Sequence, residues 1–145
     1  MNMNPYLNFR DQCENALTFY AKVLGGKIDM LLRNGESPMR DKVPKERHNF
    51  VMHAQMSVGT QIIMGADMSP ECGAVGGAGS IALTLNYDTP GEAERVFNAL
   101  ADGGTIKMPI APTFWAQRFG ALTDKFGTPW LINGGFIQPQ QQTQS

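Results

Sequence analysis

Cysteine and histidine are both scarce in this sequence, with two of each among 145 residues. Cys13 lies in a segment with helical periodicity, and Cys72 lies in a glycine-rich segment. Two cysteines in this arrangement are too few and too unpatterned for a disulfide scaffold or for a zinc site built on cysteine. We therefore interpret both as reduced thiols.

An excess of either charge is also missing, because 12 lysine and arginine residues stand against 13 aspartate and glutamate residues. A chain without a basic stripe cannot neutralise a row of phosphates, so we expect no nucleic-acid partner. No segment approaches the roughly 20 apolar residues that cross a bilayer, and none has the form of a signal peptide. We therefore expect no membrane partner and a cytoplasmic location.

What the sequence does contain is two helical segments with the same beginning and the same end. Asp11 is the expected cap of the first helix, with Glu14 three residues later. Thr89 is the expected cap of the second helix, where Pro90 takes the first helical position and Glu92 completes the capping box. A glycine pair then stops each helix. The two segments therefore follow one pattern.

A shift of 78 residues superimposes the two helices and suggests a duplicated module. The identities include Glu14 with Glu92, Phe19 with Phe97, Ala21 with Ala99 and Ile28 with Ile106. A β-favouring segment precedes each helix and three follow it, the last two joined by a tight turn. The predicted order is therefore βαβββ, twice. The predicted modules cover residues 1–67 and 80–137, with a glycine-rich linker at 68–79 and a disordered tail at 138–145.

A long loop separates the second and third strands of the first predicted module. Its sequence, "RNGESPMRDKVPKERHN", is polar and charged and contains two prolines, so we expect a mobile excursion from the sheet. His48, near its end, is expected to be solvated. In the second module the corresponding segment reads "MPIAPTFWAQR", and its prolines are expected to discourage regular strand pairing.

Several segments of the chain resemble one known superfamily. "NPYLNF", "ENALTFYAKVLGG", "HAQMSVG" and above all "TFWAQRFGALTDKFGTPWLIN" look like the PhnB-like (YjdN-like) branch of the vicinal oxygen chelate superfamily, over about residues 4–133. The resemblance implies an α+β fold in which tandem βαβββ modules form a cupped mixed β-sheet, the glyoxalase/bleomycin resistance fold. It also implies a homodimer, but it implies little about activity.

Two expectations about chemistry follow from this resemblance. Superfamily enzymes usually bind a divalent metal through His or Glu on the first and last strands of the modules, and the predicted strands at 5–9, 61–65, 80–85 and 129–133 contain no His, Glu or Asp. We therefore expect no metal and no cofactor. The branch is often catalogued under a demethylubiquinone methyltransferase name, but the sequence lacks a strand, glycine loop and helix followed by an acidic ribose-binding residue, so we expect no methyl transfer.

His53 and Asp67 are the candidate functional residues of the first module. Alternation along "FVMHAQM" places Val51, His53 and Gln55 on one face and the methionines on the other. If the methionine face is core, His53 faces a cavity or a dimer partner as a ligand-binding or acid-base group; the alternative is a hydrogen-bonded strand histidine without a further role. Asp67 is expected to cap a turn through its side chain, with a pocket carboxylate as the alternative.

The candidates of the second module are aromatic or charged. Arg118 could bind an anionic ligand, and Phe114 and Trp115 could form an apolar wall; alternatively these side chains pack the modules together or make a dimer contact. Trp130 is either core or the floor of a cavity. Asp124 is expected to stabilise a tight turn by bonding to its own backbone.

Two functional hypotheses follow. In the first, the chain binds a small molecule in the sheet cavity without the usual metal site, with His53 as candidate catalytic residue. The expected ligand contacts are His53, Phe114, Trp115, Arg118 and Trp130. The alternative is a divalent-metal-dependent lyase, isomerase or dioxygenase with an atypical ligand set, such as His53 with Asp67. A purely structural or interaction role is a third hypothesis.

Overall fold

The computed structural model describes residues 1–68 and 81–137 of the chain. Its internal contacts divide the chain into two compact units, Met1–Gly76 and Gly77–Ser145. The predicted linker at 68–79 lies outside the described residues except for Met68, and the predicted tail at 138–145 lies outside them entirely. The predicted module boundaries therefore stay predictions.

The described part of the first unit contains one α-helix and a four-stranded mixed sheet. Its elements are β1 (Tyr6–Phe9), α1 (Cys13–Leu24), β2 (Lys27–Arg33), β3 (Val51–Val58) and β4 (Gln61–Asp67). The strands lie in the order β1-β4-β3-β2, with β1 parallel to β4 and the other neighbours antiparallel. Between β2 and β3 the chain forms three short 3₁₀ turns, at Asn34–Glu36, Arg40–Lys42 and Lys45–Arg47.

The described part of the second unit repeats this arrangement. Its elements are β5 (Leu83–Tyr87), α2 (Pro90–Ala101), β6 (Thr105–Ala111), β7 (Ala116–Thr123) and β8 (Pro129–Phe136). The strands lie in the order β5-β8-β7-β6, with β5 parallel to β8. Both units therefore have the predicted βαβββ order, which confirms the α+β class. Neither helix in the described ranges is long and apolar enough to cross a membrane.

Each helix covers one face of the sheet in its own unit, and glycines on the strands allow the close approach. A Cβ atom added at Gly134 would lie 2.5 Å from the Ala93 Cβ, and one added at Gly120 would lie 2.5 Å from the ring of Phe97. We call the side of a sheet toward its helix the covered face and the opposite side the open face. The core between helix and covered face includes Leu17, Tyr20 and Met56 in the first unit and Val96, Leu100 and Trp130 in the second.

Strand alternation assigns the open face of the first unit. A Cβ atom at Gly65 would meet the sulfur of Cys13 on α1, so Gly65 lies on the covered face. Its neighbour Met64 therefore lies on the open face. Met64 pairs with Tyr6 on one side and Gln55 on the other, and paired residues share a face. The open face of this unit is thus lined from β1 across to β3 by these side chains.

The open face of the second unit is assigned in the same way. Gly120 and Gly134 face α2, so the residues that alternate with them point to the other side. Asn133 pairs with Asn86 on β5 and with Phe119 on β7. Two amides and an aromatic ring therefore lie side by side on this open face.

The first two residues of β3 occupy faces other than those predicted. Val51 is 1% exposed, whereas Met52 is 37% exposed, the reverse of the predicted assignment. The register between β2 and β3 shifts by one residue at this end of the strand, which breaks the alternation there. Beyond the shift the prediction holds, because Ala54 and Met56 are fully buried. His53 consequently lies on the open face.

The prediction that Asp11 caps α1 is wrong. Asp11 has a φ of 61°, and the N-cap position is taken by Gln12, whose side chain makes no capping hydrogen bond. The carboxylate of Asp67, at the end of β4, accepts hydrogen bonds from the backbone N–H groups of Gln12 and Cys13 at 3.0 and 2.9 Å. The cap of this helix therefore comes from a distant part of the sequence.

The start of α2 confirms two parts of the predicted capping pattern, the cap at Thr89 and the proline at the first helical position. Thr89 is the N-cap, and its Oγ1 accepts a hydrogen bond from the Glu92 backbone N–H at 3.3 Å. Pro90 is the first residue of the helix. The capping residues of α2 are close in sequence, so a local sequence pattern can predict them.

The segment predicted to be irregular before the second hairpin is largely strand. β6 continues through Pro109 to Ala111, and β7 already begins at Ala116. β6 is an edge strand, and its pairing with β7 is shifted between Met108 and Ala111. An edge strand with a local irregularity tolerates proline, because the missing N–H need not join the ladder.

Candidate functional site

A histidine and a tyrosine meet on the open face of the first unit. His53 Nδ1 lies 3.1 Å from the Tyr6 hydroxyl oxygen, and the ring centroids are 5.7 Å apart. Burial raises the pKa of the Tyr6 phenol, and Cys13 adds to the shift, so the phenol keeps its proton at neutral pH. We assign the Tyr6 hydroxyl as donor and an unprotonated His53 Nδ1 as acceptor. The other ring nitrogen, His53 Nε2, takes no part in this hydrogen bond.

Two methionines lie on the same open face as this pair. Met64 lies between Tyr6 and Gln55 in the sheet, and Met30 pairs with Gln55 from β2. Met30 is 43% exposed. Flexible thioethers beside a hydrogen-bonded polar pair form a surface that fits small molecules of varied shape.

A cavity of about 410 Å³ lies beside the open face of the first unit. One wall comes from the sheet and includes Tyr6, Met52 and Ala66. The other comes from the segment between β2 and β3, residues 34–50, which we call the excursion. The excursion contributes Asn34, Lys42, Val43, Pro44, Arg47 and Phe50, and the lining is completed by Asp67 and Met68 at the end of β4.

Internal hydrogen bonds give the excursion a defined conformation. The Asn34 backbone N–H donates to the Phe50 carbonyl, and the Asn34 side-chain amide donates to the Arg47 carbonyl, both at 2.9 Å. His48 Nε2 lies 3.1 Å from the Arg40 carbonyl oxygen and 3.0 Å from that of Val43. The prediction that His48 is solvated is therefore wrong, because its ring joins parts of the excursion.

Trp115 belongs to a hydrogen-bonded group on the open face of the second unit. Its Nε1 donates to Asn133 Oδ1 at 3.0 Å, and Asn133 Nδ2 donates to Asn86 Oδ1 at the same distance. The Trp115 ring meets Phe119 edge-on at 5.1 Å and Phe114 at 4.8 Å between centroids. Phe114 itself is 72% exposed. Aromatic rings thus border two amides whose orientation is fixed.

The structure separates Arg118 from Trp115, although they are three residues apart. Arg118 pairs with Gly134, which lies on the covered face, and its Nε donates to Glu94 of α2 at 2.6 Å. Its Nη1 donates to the Gln117 carbonyl at 2.7 Å. Arg118 therefore joins α2 to the sheet, while Trp115 contacts the open face. The sequence does not predict this separation. Faces are assigned from strand alternation, and this segment is expected from the sequence to be irregular.

Trp130 lies in the core of the second unit. It is 1% exposed, and its Nε1 donates to Asp124 Oδ2 at 2.8 Å. Asp124 Oδ1 accepts the backbone N–H groups of Phe126 and Thr128. The predicted role of Asp124 in the turn is confirmed, and of the two readings of Trp130 the structure favours core.

Asp67 does not cap a local turn, contrary to the prediction. Besides the two N–H groups at the start of α1, its carboxylate accepts the Val51 N–H through Oδ2 at 2.9 Å. Three backbone donors from two other elements therefore share this carboxylate. It ties β4 to the beginning of α1 and to the beginning of β3.

Tyr6, Asn86 and Asn133 are residues of the open faces that were not singled out from the sequence. A signal for Asn86 was present, because the 78-residue shift aligns Asn8 with it, in "YLNF" and "TLNY". A polar residue repeated within two apolar strands indicates a position that is not core. No comparable signal identifies Tyr6, whose role depends on β1 lying beside β4 and close to His53.

The Cys13 thiol is buried at the start of α1. Its side chain is 0% exposed. Burial raises the pKa of this thiol to about 12, and the nearby carboxylates of Asp67 and Glu14 add to the shift. A neutral, inaccessible thiol is a structural group and not a nucleophile. Cys72 lies outside the described residues.

We expect Cys13 to resist iodoacetamide in the folded protein. At pH 8 only about one thiol in ten thousand with such a pKa is a thiolate, and the side chain is inaccessible. The unfolded thiol ionises near its ordinary value of 9.0, so the contribution of Cys13 to stability is complete below pH 9 and decreases as the pH rises toward 12. A Cys72→Ser variant, alkylated with and without urea, isolates Cys13; equal rates in both states would contradict the assignment.

Comparison with known proteins identifies the family. Residues 1–133 match the model of a family described as 3-demethylubiquinone-9 3-methyltransferase. The chain is 34% identical over 154 residues to Protein YjdN of Escherichia coli (strain K12), covering 99% of this chain and 100% of that protein. This chain belongs to that family, the PhnB-like family.

Solved structures agree with this assignment. Protein PA1353 from Pseudomonas aeruginosa is 40% identical with a TM-score of 0.84, over 92% of this chain and 97% of that one. A PhnB protein from Bacillus cereus, named as a putative 3-demethylubiquinone-9 3-methyltransferase, is 25% identical with a TM-score of 0.78, over 92% and 99% of the two chains. The PhnB-like family thus accounts for nearly the whole chain.

A more distant neighbour has the same fold. A glyoxylase/bleomycin resistance protein/dioxygenase domain from Frankia sp. EAN1pec has a TM-score of 0.61 at 14% identity, over 93% of this chain and 91% of that one. Similarity at that identity shows the fold alone. The predicted glyoxalase/bleomycin resistance fold is confirmed.

The description of the PhnB-like family names a methyl transfer, which the strand–helix connections do not favour. A nucleotide-type donor site needs a glycine turn between a strand and the following helix. The connections after β1 and β5, the two of this kind in the described residues, read "RDQ" and "DT" and contain no glycine. The expectation that this chain transfers no methyl group stays a prediction.

The divalent metal usual in the superfamily does not fit the residues of this PhnB-like chain. Within the described ranges, no group of three or more His, Cys, Asp or Glu side chains is arranged to hold a metal ion. Asp67, the acidic residue of β4, gives both carboxylate oxygens to backbone N–H groups, while His53 contacts Tyr6 on the open face. Their different partners argue against the alternative ligand set of His53 with Asp67.

Proposed function

We propose that this PhnB-like protein binds a small molecule with an apolar body on the open face of its first unit, without a bound metal. The pair of His53 and Tyr6 provides the polar contact, and Met30 and Met64 provide the apolar surface. The proposal includes a homodimer in the cytoplasm, for which the support is the family resemblance and the sequence composition.

The observation that carries this proposal is the hydrogen bond between Tyr6 and His53 within a surface of methionines. On the same face as this polar pair lie Met30, which is 43% exposed, and Met64, which is half-buried, so the face combines apolar surface with fixed polar groups. A ligand site combines those two properties, because apolar contact supplies affinity and a few fixed polar groups supply orientation.

His53 also supplies the proton chemistry that the site can perform. With Nδ1 accepting from Tyr6, the neutral ring carries its proton on Nε2, where it can donate to a ligand oxygen. Tyr6 then orients the imidazole as a partner residue does in acid-base sites. His53 is therefore the group of this site that can exchange a proton with a bound ligand.

Phe114 and Trp115 remain proposed ligand contacts on the open face of the second unit. Their support is the aromatic group around the Asn133 and Asn86 amides. We leave Arg118 and Trp130 out of the proposal, because one binds Glu94 and the other lies in the core.

We expect N-phenyl-1-naphthylamine, an uncharged probe that fluoresces in apolar surroundings, to bind saturably. Met30→Glu should weaken its binding about tenfold, because a carboxylate must then be desolvated beside the probe. Fluorescence titration of the two proteins measures the effect.

Met39→Glu is the matched control for this experiment. Met30 and Met39 have the same exposure, 43%, but Met30 lies on a strand of the sheet, whereas Met39 lies in the excursion. Equal binding by wild type and Met39→Glu, with weaker binding by Met30→Glu, supports the proposal. No saturable binding by the wild type, or equal weakening in both variants, would overturn it.

A further inference from the structure

We propose that the cavity beneath the excursion binds an oxyanion on the ligand, with Arg47 and Lys42 as its charge partners. The ligand is then an amphipathic anion, such as an apolar molecule carrying a carboxylate, sulfonate or phosphate. This inference rests on the proposed function and names the ligand class of the same site.

The lining of the cavity divides into an apolar and a polar part. Val43, Pro44, Phe50, Met52 and Met68 are apolar. The polar side chains are those of Tyr6, Asn34, Lys42, Arg47 and Asp67. A volume of about 410 Å³ admits a small organic molecule and not merely an ion.

The charges in the lining favour an anion. The lining includes two cationic residues, Lys42 and Arg47, and one acidic residue, Asp67. The two Asp67 oxygens already accept three backbone N–H groups, two of them at the positive end of α1. The negative charge of Asp67 is therefore already compensated by N–H donors of the protein.

Hydrogen bonds hold the backbone of the excursion at both cationic residues. The Arg47 N–H donates to the Pro44 carbonyl at 2.9 Å, and its carbonyl accepts the Asn34 side-chain amide. The Lys42 N–H donates to the Met39 carbonyl at 2.9 Å. His48 joins the carbonyls of Arg40 and Val43 on either side of Lys42. A fixed backbone reduces the entropy that binding must overcome.

Tyr6 connects the cavity with the open face. This residue lines the cavity and also bonds His53, so one side chain belongs to both surfaces. A ligand with its anionic end near Arg47 can place its apolar body along the methionines. The bidentate geometry of a guanidinium suits an oxyanion with two free oxygens, and Lys42 adds a second charge.

Two probes that differ by one charged group test this inference. 8-Anilinonaphthalene-1-sulfonate has the ring system of N-phenyl-1-naphthylamine with an added sulfonate. We expect Arg47→Gln and Lys42→Gln each to weaken binding of the sulfonate probe about tenfold, and to leave binding of the neutral probe within about twofold. Raising the salt concentration should weaken binding of the sulfonate probe more than binding of the neutral probe.

Arg40→Gln is the matched control, because Arg40 is exposed, lies in the same excursion and does not line the cavity. Equal binding of the sulfonate probe by Arg40→Gln and wild type, with weaker binding by Arg47→Gln, supports the inference. The anion site is refuted if Arg47→Gln binds the sulfonate probe as tightly as the wild type does. It is also refuted if Arg40→Gln weakens that binding as much as Arg47→Gln does.

The same titrations separate the two proposals. If the neutral probe binds and depends on Met30 while the sulfonate probe ignores Arg47, the small-molecule site stands and the anion inference fails. If the neutral probe does not bind at all, the proposed function fails. Thermal melting followed by circular dichroism shows whether each variant is folded. If either Arg47→Gln or Lys42→Gln does not fold, the other variant serves for the test.

Discussion

Replacing Asp124 with alanine is expected to lower the free energy of unfolding by about 4 kcal/mol. Asp124 is 4% exposed, and its carboxylate accepts the N–H groups of Phe126, Thr128 and the Trp130 indole at 2.8, 3.0 and 2.8 Å. Alanine removes all three acceptor contacts. The Trp130 indole is itself buried, so water cannot readily replace the lost bond.

Tryptophan fluorescence during urea unfolding is the measurement for this variant, because both tryptophans of the chain, Trp115 and Trp130, lie in the second unit. Asp102→Ala, at the exposed end of α2, is the matched control and should change stability by less than about 0.5 kcal/mol. In a Trp130→Phe background the loss from Asp124→Ala should be smaller, because one donor is already gone. Similar losses from the variants at 124 and 102 would contradict the assignment.

Replacing Asp67 with alanine is expected to lower the free energy of unfolding by about 3 kcal/mol. Its carboxylate accepts the N–H groups of Gln12, Cys13 and Val51 at 3.0, 2.9 and 2.9 Å. The variant therefore uncaps α1 and frees the first residue of β3. Asp67→Asn should cost less, because its amide oxygen can still cap the helix.

Far-UV circular dichroism during urea unfolding measures this loss, because the first unit contains no tryptophan. The control is Asp11→Gly, which removes the carboxylate that the sequence indicates as the cap. Glycine also adopts the φ of 61° found at Asp11 without strain, so this variant should be as stable as the wild type. If Asp11→Gly lowers the free energy of unfolding as much as Asp67→Ala does, Asp11 is the cap after all, as the sequence predicts.

The two helix starts explain why one cap could be predicted and the other could not. Thr89, Pro90 and Glu92 act within four residues, so their pattern in the sequence is also their geometry. At α1 the capping carboxylate lies 54 residues beyond Cys13. A local pattern cannot contain a partner that reaches its place only when β4 pairs with β1.

The sequence indicated some of the residue types of the candidate site, but not which face of the sheet each residue takes. His53 and Trp115 were selected as residue types suited to a pocket, and both contact the open face of their sheet. Arg118 was selected on the same grounds, but it binds Glu94 on the covered face. Lys42 and Arg47 were part of a segment interpreted only as a charged loop, because its fold against the sheet has no sequence signal.

The sequence alone determined the order of the elements, because glycine stops and strand alternation act between near neighbours, and the resemblance of its segments indicated the family. The tertiary structure decided which face of the sheet each functional side chain takes. A one-residue register shift at the start of β3 moves Met52 out and Val51 in, and strand pairing brings Tyr6 to His53. Side chains on a strand alternate with a period of two, so the register set by distant partners decides which of them reach the site.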